Sequence, residues 1–131
     1  MTKNSWYAYR RKDGKINRYG NTPTMVDGKR FMSKKEASRY LVLKARQEAG
    51  LISGLELQPA FCLQEAFERD GEHYRPITYK ADFRYKTQDG KTIVEDVKSP
   101  ATITAIYELK KKWLLHDFHQ FDFVEVFDVN I

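Results

Sequence analysis

The sequence predicts a mixed α/β (α+β) domain, a sheet of about four or five strands flanked by two helices, and three observations carry that expectation. From Ser33 to Ala49, small and apolar residues (Ala37, Tyr40, Leu41, Ala45, Ala49) recur at three- and four-residue steps, and Gly50 follows as a stop. Residues 55 to 98 are rich in β-branched and aromatic runs broken by Pro59, Asp70-Gly71 and Asp89-Gly90. After a second helical stretch the chain closes on Phe121-Asp122-Phe123-Val124-Glu125-Val126-Phe127, a strand reached through a helix as parallel crossover strands are. The order from Ser33 onward is α, several β, α, β, with no internal repeat and no low-complexity tract.

The 131 residues suit one domain, with 41% apolar and 14% aromatic residues to build its core. No apolar run approaches the roughly 20 residues needed to cross a bilayer, and the N-terminus has no apolar signal core, so a soluble protein in the cytoplasm is expected. The single cysteine, Cys62, lies in an apolar stretch and is expected to be a buried thiol; it excludes a disulfide framework or a cysteine zinc site.

The net charge of +5 is localised. Residues 1–20 hold Lys3, Arg10, Arg11, Lys12, Lys15 and Arg18 against Asp13, whereas residues 21–131 balance 17 basic with 17 acidic side chains. Trp6, Tyr7, Tyr9 and Tyr19 are interleaved with these cations, a composition suited to phosphate attraction and base stacking as well as to a solvated tail. The chain thus divides into a basic aromatic arm, 1–20, and a folded domain, 21–131.

Within the domain, Asp27-Gly28 predicts a short hairpin over Thr24 to Phe31. The helix from Ser33 follows. Extended segments are expected at Leu55 to Gln58, at Ala60 to Phe67, and in a long strand from about His73 through Tyr85. The chain then returns as Thr92 to Lys98. Pro100 and Thr102 open the second helix, with Ile106, Leu109, Trp113 and Leu114 as its apolar stripe and Lys110, Lys111 and Lys112 as a solvated face or a contact to the DNA backbone.

The loop after Tyr85 decides where the charged residues point, because a shift of one residue sends a side chain to the opposite face. Thr87-Gln88-Asp89-Gly90-Lys91 suits a three-residue loop with Gly90 left-handed, which pairs Thr87 with Lys91. Asp82 then lies opposite Asp96 and Lys80 opposite Lys98 on one face, with Ile77, Tyr79, Ala81, Phe83, Tyr85, Ile93 and Val97 on the other. Glu95 is the one charge on the apolar face. Facing carboxylates repel unless Lys98 or a cation lies between them. Two carboxylates and water are what Mg2+ accepts, and Lys98 is placed to stabilise charge on a phosphate. An ion-pair ladder on a solvated face is the structural alternative. Ser33-x-x-Glu36 reads as a capping box. His116-x-x-His119 has ligand spacing but no completing set, and Ser99 has no His and acid partners.

Asp82 as a lone acid, Asp96-Val97-Lys98 as the tripeptide of the following strand, and Glu36 on the first helix resemble the PD-(D/E)XK nuclease superfamily. More narrowly, Ser33-Lys34-Lys35-Glu36-Ala37, Leu55-Glu56-Leu57-Gln58-Pro59, Tyr79-Lys80-Ala81-Asp82-Phe83 and Val94-Glu95-Asp96-Val97-Lys98 resemble a family of small phage-encoded proteins of that superfamily, over roughly Tyr19 to Val126. Ala81 stands where the superfamily pattern has proline, and Asp96 where it often has Glu. The resemblance implies a restriction-endonuclease-like core (αβββαβ) and Mg2+- or Mn2+-dependent hydrolysis of DNA phosphodiesters in a phage-infected or lysogenic host. It does not imply a particular DNA structure, branched and recombination or repair DNA being among the substrates of such nucleases. It also implies Glu36, Asp82 and Asp96 as metal ligands with Lys98 assisting, and turns Glu36 from a cap toward the metal site. Arg10, Arg11, Lys12, Lys15, Arg18, Lys110 and Lys111 are the expected DNA contacts, and a homodimer is expected because so small a domain encloses little duplex. A non-catalytic nucleic-acid-binding protein on the same fold, or a phage protein that binds a host protein, are the competing readings.

Overall fold

The computed structural model describes residues 23–131. The arm, with Arg10, Arg11, Lys12, Lys15 and Arg18, lies outside the described residues. Two strands, β1 (Thr24–Val26) and β2 (Lys29–Phe31), form the expected hairpin. Asp27 and Gly28 both have positive φ, 53° and 72°, which matches the right-handed twist of the flanking strands. Helix α1 (Lys34–Glu48) starts at Ser33, whose hydroxyl accepts the Glu36 amide at 3.1 Å. It ends before Gly50 at φ 79°. Ser33→Ala is expected to lower stability by about 1 kcal/mol in denaturant unfolding, the usual contribution of such a cap. Ala37, Tyr40 and Leu43 form the buried line of α1, and Leu41, placed by periodicity in that line, is half exposed.

Seven strands follow: β3 (Ile52–Leu57), β4 (Ala60–Gln64), β5 (Phe67–Arg69), β6 (Glu72–Tyr74), β7 (Ile77–Lys80), β8 (Phe83–Thr87) and β9 (Thr92–Val97). A 3-10 turn at Pro100–Thr102 leads to α2 (Ala105–Asp117), and β10 (Asp122–Val126) closes the fold. The central sheet has the order β10-β9-β8-β3, with β3, β8 and β9 antiparallel and β10 parallel to β9. With its two helices this is the αβββαβ, restriction-endonuclease-like topology. Strands β4 and β7 form a separate ribbon, and β5 and β6 a hairpin turned on Asp70-Gly71.

The β8–β9 register is the one required by a three-residue loop: Phe83 faces Glu95, Tyr85 faces Ile93 and Lys86 faces Thr92. The Thr87 amide donates to the Lys91 carbonyl at 2.9 Å, and Gly90 has φ 86°. Gly90→Ala is expected to cost about 1–2 kcal/mol in chemical unfolding, because a Cβ at this angle crowds the following carbonyl.

Three expectations are corrected. The long strand through Tyr85 is broken at Ala81-Asp82: the ladder with β9 ends at Phe83, and Lys80 pairs with Ala60 of β4, not with Lys98. The corner at Gln58-Pro59 draws the chain away, the Gln58 amide donating to the Asp82 carbonyl (2.9 Å) and the Ala81 amide to the Pro59 carbonyl (3.0 Å). Tyr79 and Ala81 therefore leave the face of Phe83 and Tyr85. Second, α2 starts after Thr104, whose hydroxyl accepts the Tyr107 amide, while Pro100 and Thr102 form the preceding 3-10 turn. Tyr107 and Leu114 are its buried residues, and Ile106 and Leu109 are 63% and 58% exposed. Third, Cys62 is exposed, since strand alternation turns Phe61 and Leu63 inward and the residue between them out.

Both faces of the central sheet are covered. Phe83, Tyr85, Val97 and Val126 pack with Leu43, Tyr40 and Phe31 on the α1 side. Val94 packs with Tyr79, Ala81, Phe61, Tyr107 and Leu114 on the α2 side. Among the described residues no helix is long and apolar enough to cross a membrane.

Candidate active site

Where β8 leaves β9, the Val97 amide has no backbone carbonyl to meet. The Asp82 carboxylate takes its place, accepting that amide through Oδ2 at 2.7 Å. The break in the strand thus fixes the Asp82 side chain in the gap between the two strands. Asp96, one residue along β9 from Glu95, is 3% exposed and points to the α2 side, where the Tyr79 hydroxyl donates to its Oδ2. Lys98 follows at the end of β9, with Nζ 3.8 Å from the centre of the Tyr107 ring. Its carbonyl accepts Lys35 Nζ at 2.6 Å, which ties the start of α1 to the end of β9.

This tie brings in Glu36. Burial raises its carboxyl to about 8, and the nearby charges of Asp82 and Asp96 push the same way, against the Met32 amide and Lys98. Burial likewise raises Asp82 to about 6, although the Val97 amide and Lys98 oppose it. Burial raises Asp96 to about 7, with Lys98 opposing and Glu125 adding to the rise. Glu36 of α1, Asp82 between β7 and β8, Asp96 of β9 and Lys98 just after it therefore share one electrostatic neighbourhood. A cleft of about 330 Å³ opens beside Glu36 and Asp82, lined also by Gln58, Lys29, Arg30 and Phe31 among others; Asp96 and Lys98 do not line it.

Several participants carried no signal in the sequence. Tyr107 donates to Glu125 Oε2 at 2.6 Å, and Lys111 reaches the same oxygen at 3.0 Å. Lys111 is thus engaged with Glu125 and, more distantly, with Glu108. Lys110 is half-buried. Tyr79 touches Asp96 only because the strand breaks at Asp82, which periodicity does not foresee. Glu95 stays on the α1 face, as the register requires, and is held by Arg39 and Tyr85. His116 and His119 are both exposed, and His116 bonds its neighbour Asp117.

The donor chemistry suits a hydrated cation more than a closed cage. Asp82 accepts the Val97 amide and Asp96 accepts the Tyr79 hydroxyl, and Mg2+ is commonly held by one or two carboxylates with waters completing its shell. Among the described residues no three His, Cys, Asp or Glu side chains stand close enough to form a ready ligand set.

The topology is consistent with the PD-(D/E)XK superfamily without being specific to it. No curated protein and no solved structure gives a significant match to the chain. Residues 16–127 match the family model described as "Protein of unknown function (DUF1064)", which spans most of the sequence and every element above, and the chain belongs to that family.

Proposed function

We propose that this protein is a metal-dependent DNA endonuclease, with Asp82 and Asp96 holding Mg2+ or Mn2+, Lys98 assisting and Glu36 supporting. The observation that carries the reading is that Lys98 acts on one buried carboxylate, Asp96, and two half-buried ones, Glu36 and Asp82, with desolvation raising all three above their ordinary range. Such clusters oppose folding and concentrate at functional sites. When bound, a divalent cation offsets their repulsion, polarises a phosphate and makes water a nucleophile near neutral pH.

The chain's own groups have separable roles. The Val97 amide holds Asp82 and the Tyr79 hydroxyl holds Asp96. Lys98, positioned on the Tyr107 ring, supplies a fixed positive charge for a phosphate. Desolvation, with the charges of Asp82 and Asp96, favours the neutral form of Glu36, and a bound cation would favour its carboxylate.

Duplex, single-stranded, flapped and four-way DNA incubated with Mn2+ test the reading. We expect cutting of at least one, reduced by about 100-fold or more in Asp82→Asn and Lys98→Ala. No cutting of any substrate, or full cutting by both variants, rejects the catalytic role.

A second reading, a nucleic-acid-binding protein on this fold that does not cut, has a specific observation in its favour. Among the described residues no three His, Cys, Asp or Glu side chains stand close enough to hold a metal ion as they are, and the two aspartates already have protein partners. Calorimetry with Mn2+ separates the two. A nuclease shows a saturable site that disappears in Asp82→Asn/Asp96→Asn, whereas a binder shows none.

A further inference from the structure

We propose that Gln58 is a positioning residue of the cleft, its side-chain amide donating to a phosphate oxygen of a DNA strand seated beside Glu36 and Asp82. The inference rests on the DNA-directed reading above but not on cutting.

The backbone at Gln58 is left-handed, with φ 53°. Asp27 and Asp70 share that angle, but both sit in hairpin turns followed by glycine. Asp and Gly are ordinary choices there. Gln58 instead occupies the corner between β3 and β4, where a single left-handed residue lets the chain pass from the central sheet to the ribbon. Its amide donates to the Asp82 carbonyl at 2.9 Å, so the strained residue is fastened to the acid at the strand break. Nothing in that backbone role uses a glutamine side chain. Glycine reaches the same angle without strain, and a longer side chain there persists only where the surroundings hold it.

The Gln58 side chain is exposed and makes no hydrogen bond to another described residue. It lines the cleft that also contains Glu36, Asp82, Lys29 and Arg30. Lys29 and Arg30 of β2 bring positive charge to the same lining as the two acids. A volume of about 330 Å³ is at the lower end of small-ligand pockets. It suits one nucleotide of a strand, not a whole duplex. Between cations and acids, a neutral donor satisfies a phosphate oxygen without adding a charge that would pair with Glu36 or Asp82. The chemical class of the ligand is therefore a nucleic-acid phosphodiester.

Gln58→Gly removes the side chain and relieves the backbone, Gln58→Glu keeps the shape and removes the donor, and Gln58→Asn keeps a shorter amide. Binding of fluorescent single-stranded and duplex DNA is measured by anisotropy in EDTA at low salt, alongside thermal unfolding. We expect Gln58→Gly to melt within about 3 °C of the unaltered protein or higher. We expect both Gln58→Gly and Gln58→Glu to bind at least one DNA about tenfold more weakly, with Gln58→Asn between them and the unaltered protein. Binding by Gln58→Gly and Gln58→Glu within about twofold of the unaltered protein overturns this role and leaves the nuclease reading standing. Weakened binding by the two variants, together with an unaltered protein that binds DNA but cuts nothing, supports the role and rejects the nuclease. No DNA binding by the unaltered protein overturns both.

Discussion

Arg39→Ala is expected to destabilise the protein by about 3–5 kcal/mol, the usual result of removing one partner from a buried ion pair. Arg39 and Glu95 are 4% and 1% exposed. The guanidinium donates from Nε to Oε1 at 2.8 Å and from Nη2 to Oε2 at 2.7 Å. Its Nη1 donates to the Val129 carbonyl at 2.8 Å, and the Tyr85 hydroxyl donates to Glu95. Without Arg39, a carboxylate remains inside the α1 face with only a phenol to satisfy it. The melting temperature should fall by about 10–20 °C. Glu95→Ala should fall comparably, since it strands the guanidinium. Arg39→Met/Glu95→Leu should recover much of the loss, because the pair's own desolvation disappears with it. A loss below about 1 kcal/mol for Arg39→Ala in denaturant unfolding would mean that water reaches the pair.

The second large effect lies across the sheet and has the opposite sign. Between about pH 4.5 and 8 the folded chain keeps a proton on Glu36 that the unfolded chain releases. The native state then binds more protons, so stability falls as pH rises through this window. Asp82 and Asp96 add to the decline, from their ordinary 3.8 up to about 6 and about 7. In EDTA, stability is therefore expected to be greatest in mild acid with respect to these groups and lower by something on the order of 3 kcal/mol near pH 8. Glu36→Gln should flatten the decline and be more stable than the unaltered protein at the alkaline end. Denaturant unfolding across this pH range checks both statements. A profile unchanged by Glu36→Gln would show that its carboxyl is well solvated. The neutral variant gains stability while the nuclease reading has it lose function, as expected of a site whose charges are held against the preference of the fold.

The elements themselves were largely readable in the sequence. The Ser33 cap and the three- and four-residue steps marked α1, Asp27-Gly28 and Asp70-Gly71 marked hairpins, and Gly90 determined a register that depends only on local turn geometry. The closing strand was expected to be parallel because a helix precedes it, and β10 runs parallel to β9. Glu95 was the one charge on an apolar face, which correctly separated it from Asp96. These features rest on interactions between residues a few positions apart.

The site depended on contacts that span the chain. Alternation continues through Tyr79, Ala81 and Phe83 without interruption, so the sequence by itself predicted one strand and a Lys80–Lys98 pair. In the folded chain, Gln58 takes the Asp82 carbonyl and Pro59 the Ala81 amide, the Asp82 amide keeps its bond to the Glu95 carbonyl, and the strand divides there. That division directs Asp82 onto the Val97 amide and carries Tyr79 to Asp96. Cys62, Ile106 and Leu109 were misplaced for a related reason: apolar composition says which residues favour burial, but packing decides which have a neighbour to bury against. The local code thus determined the helices, the turns and the β8–β9 register, whereas the gathering of Glu36, Asp82, Asp96 and Lys98 was decided by tertiary structure, because buried charge is set by what surrounds a side chain and not by the residues beside it in sequence.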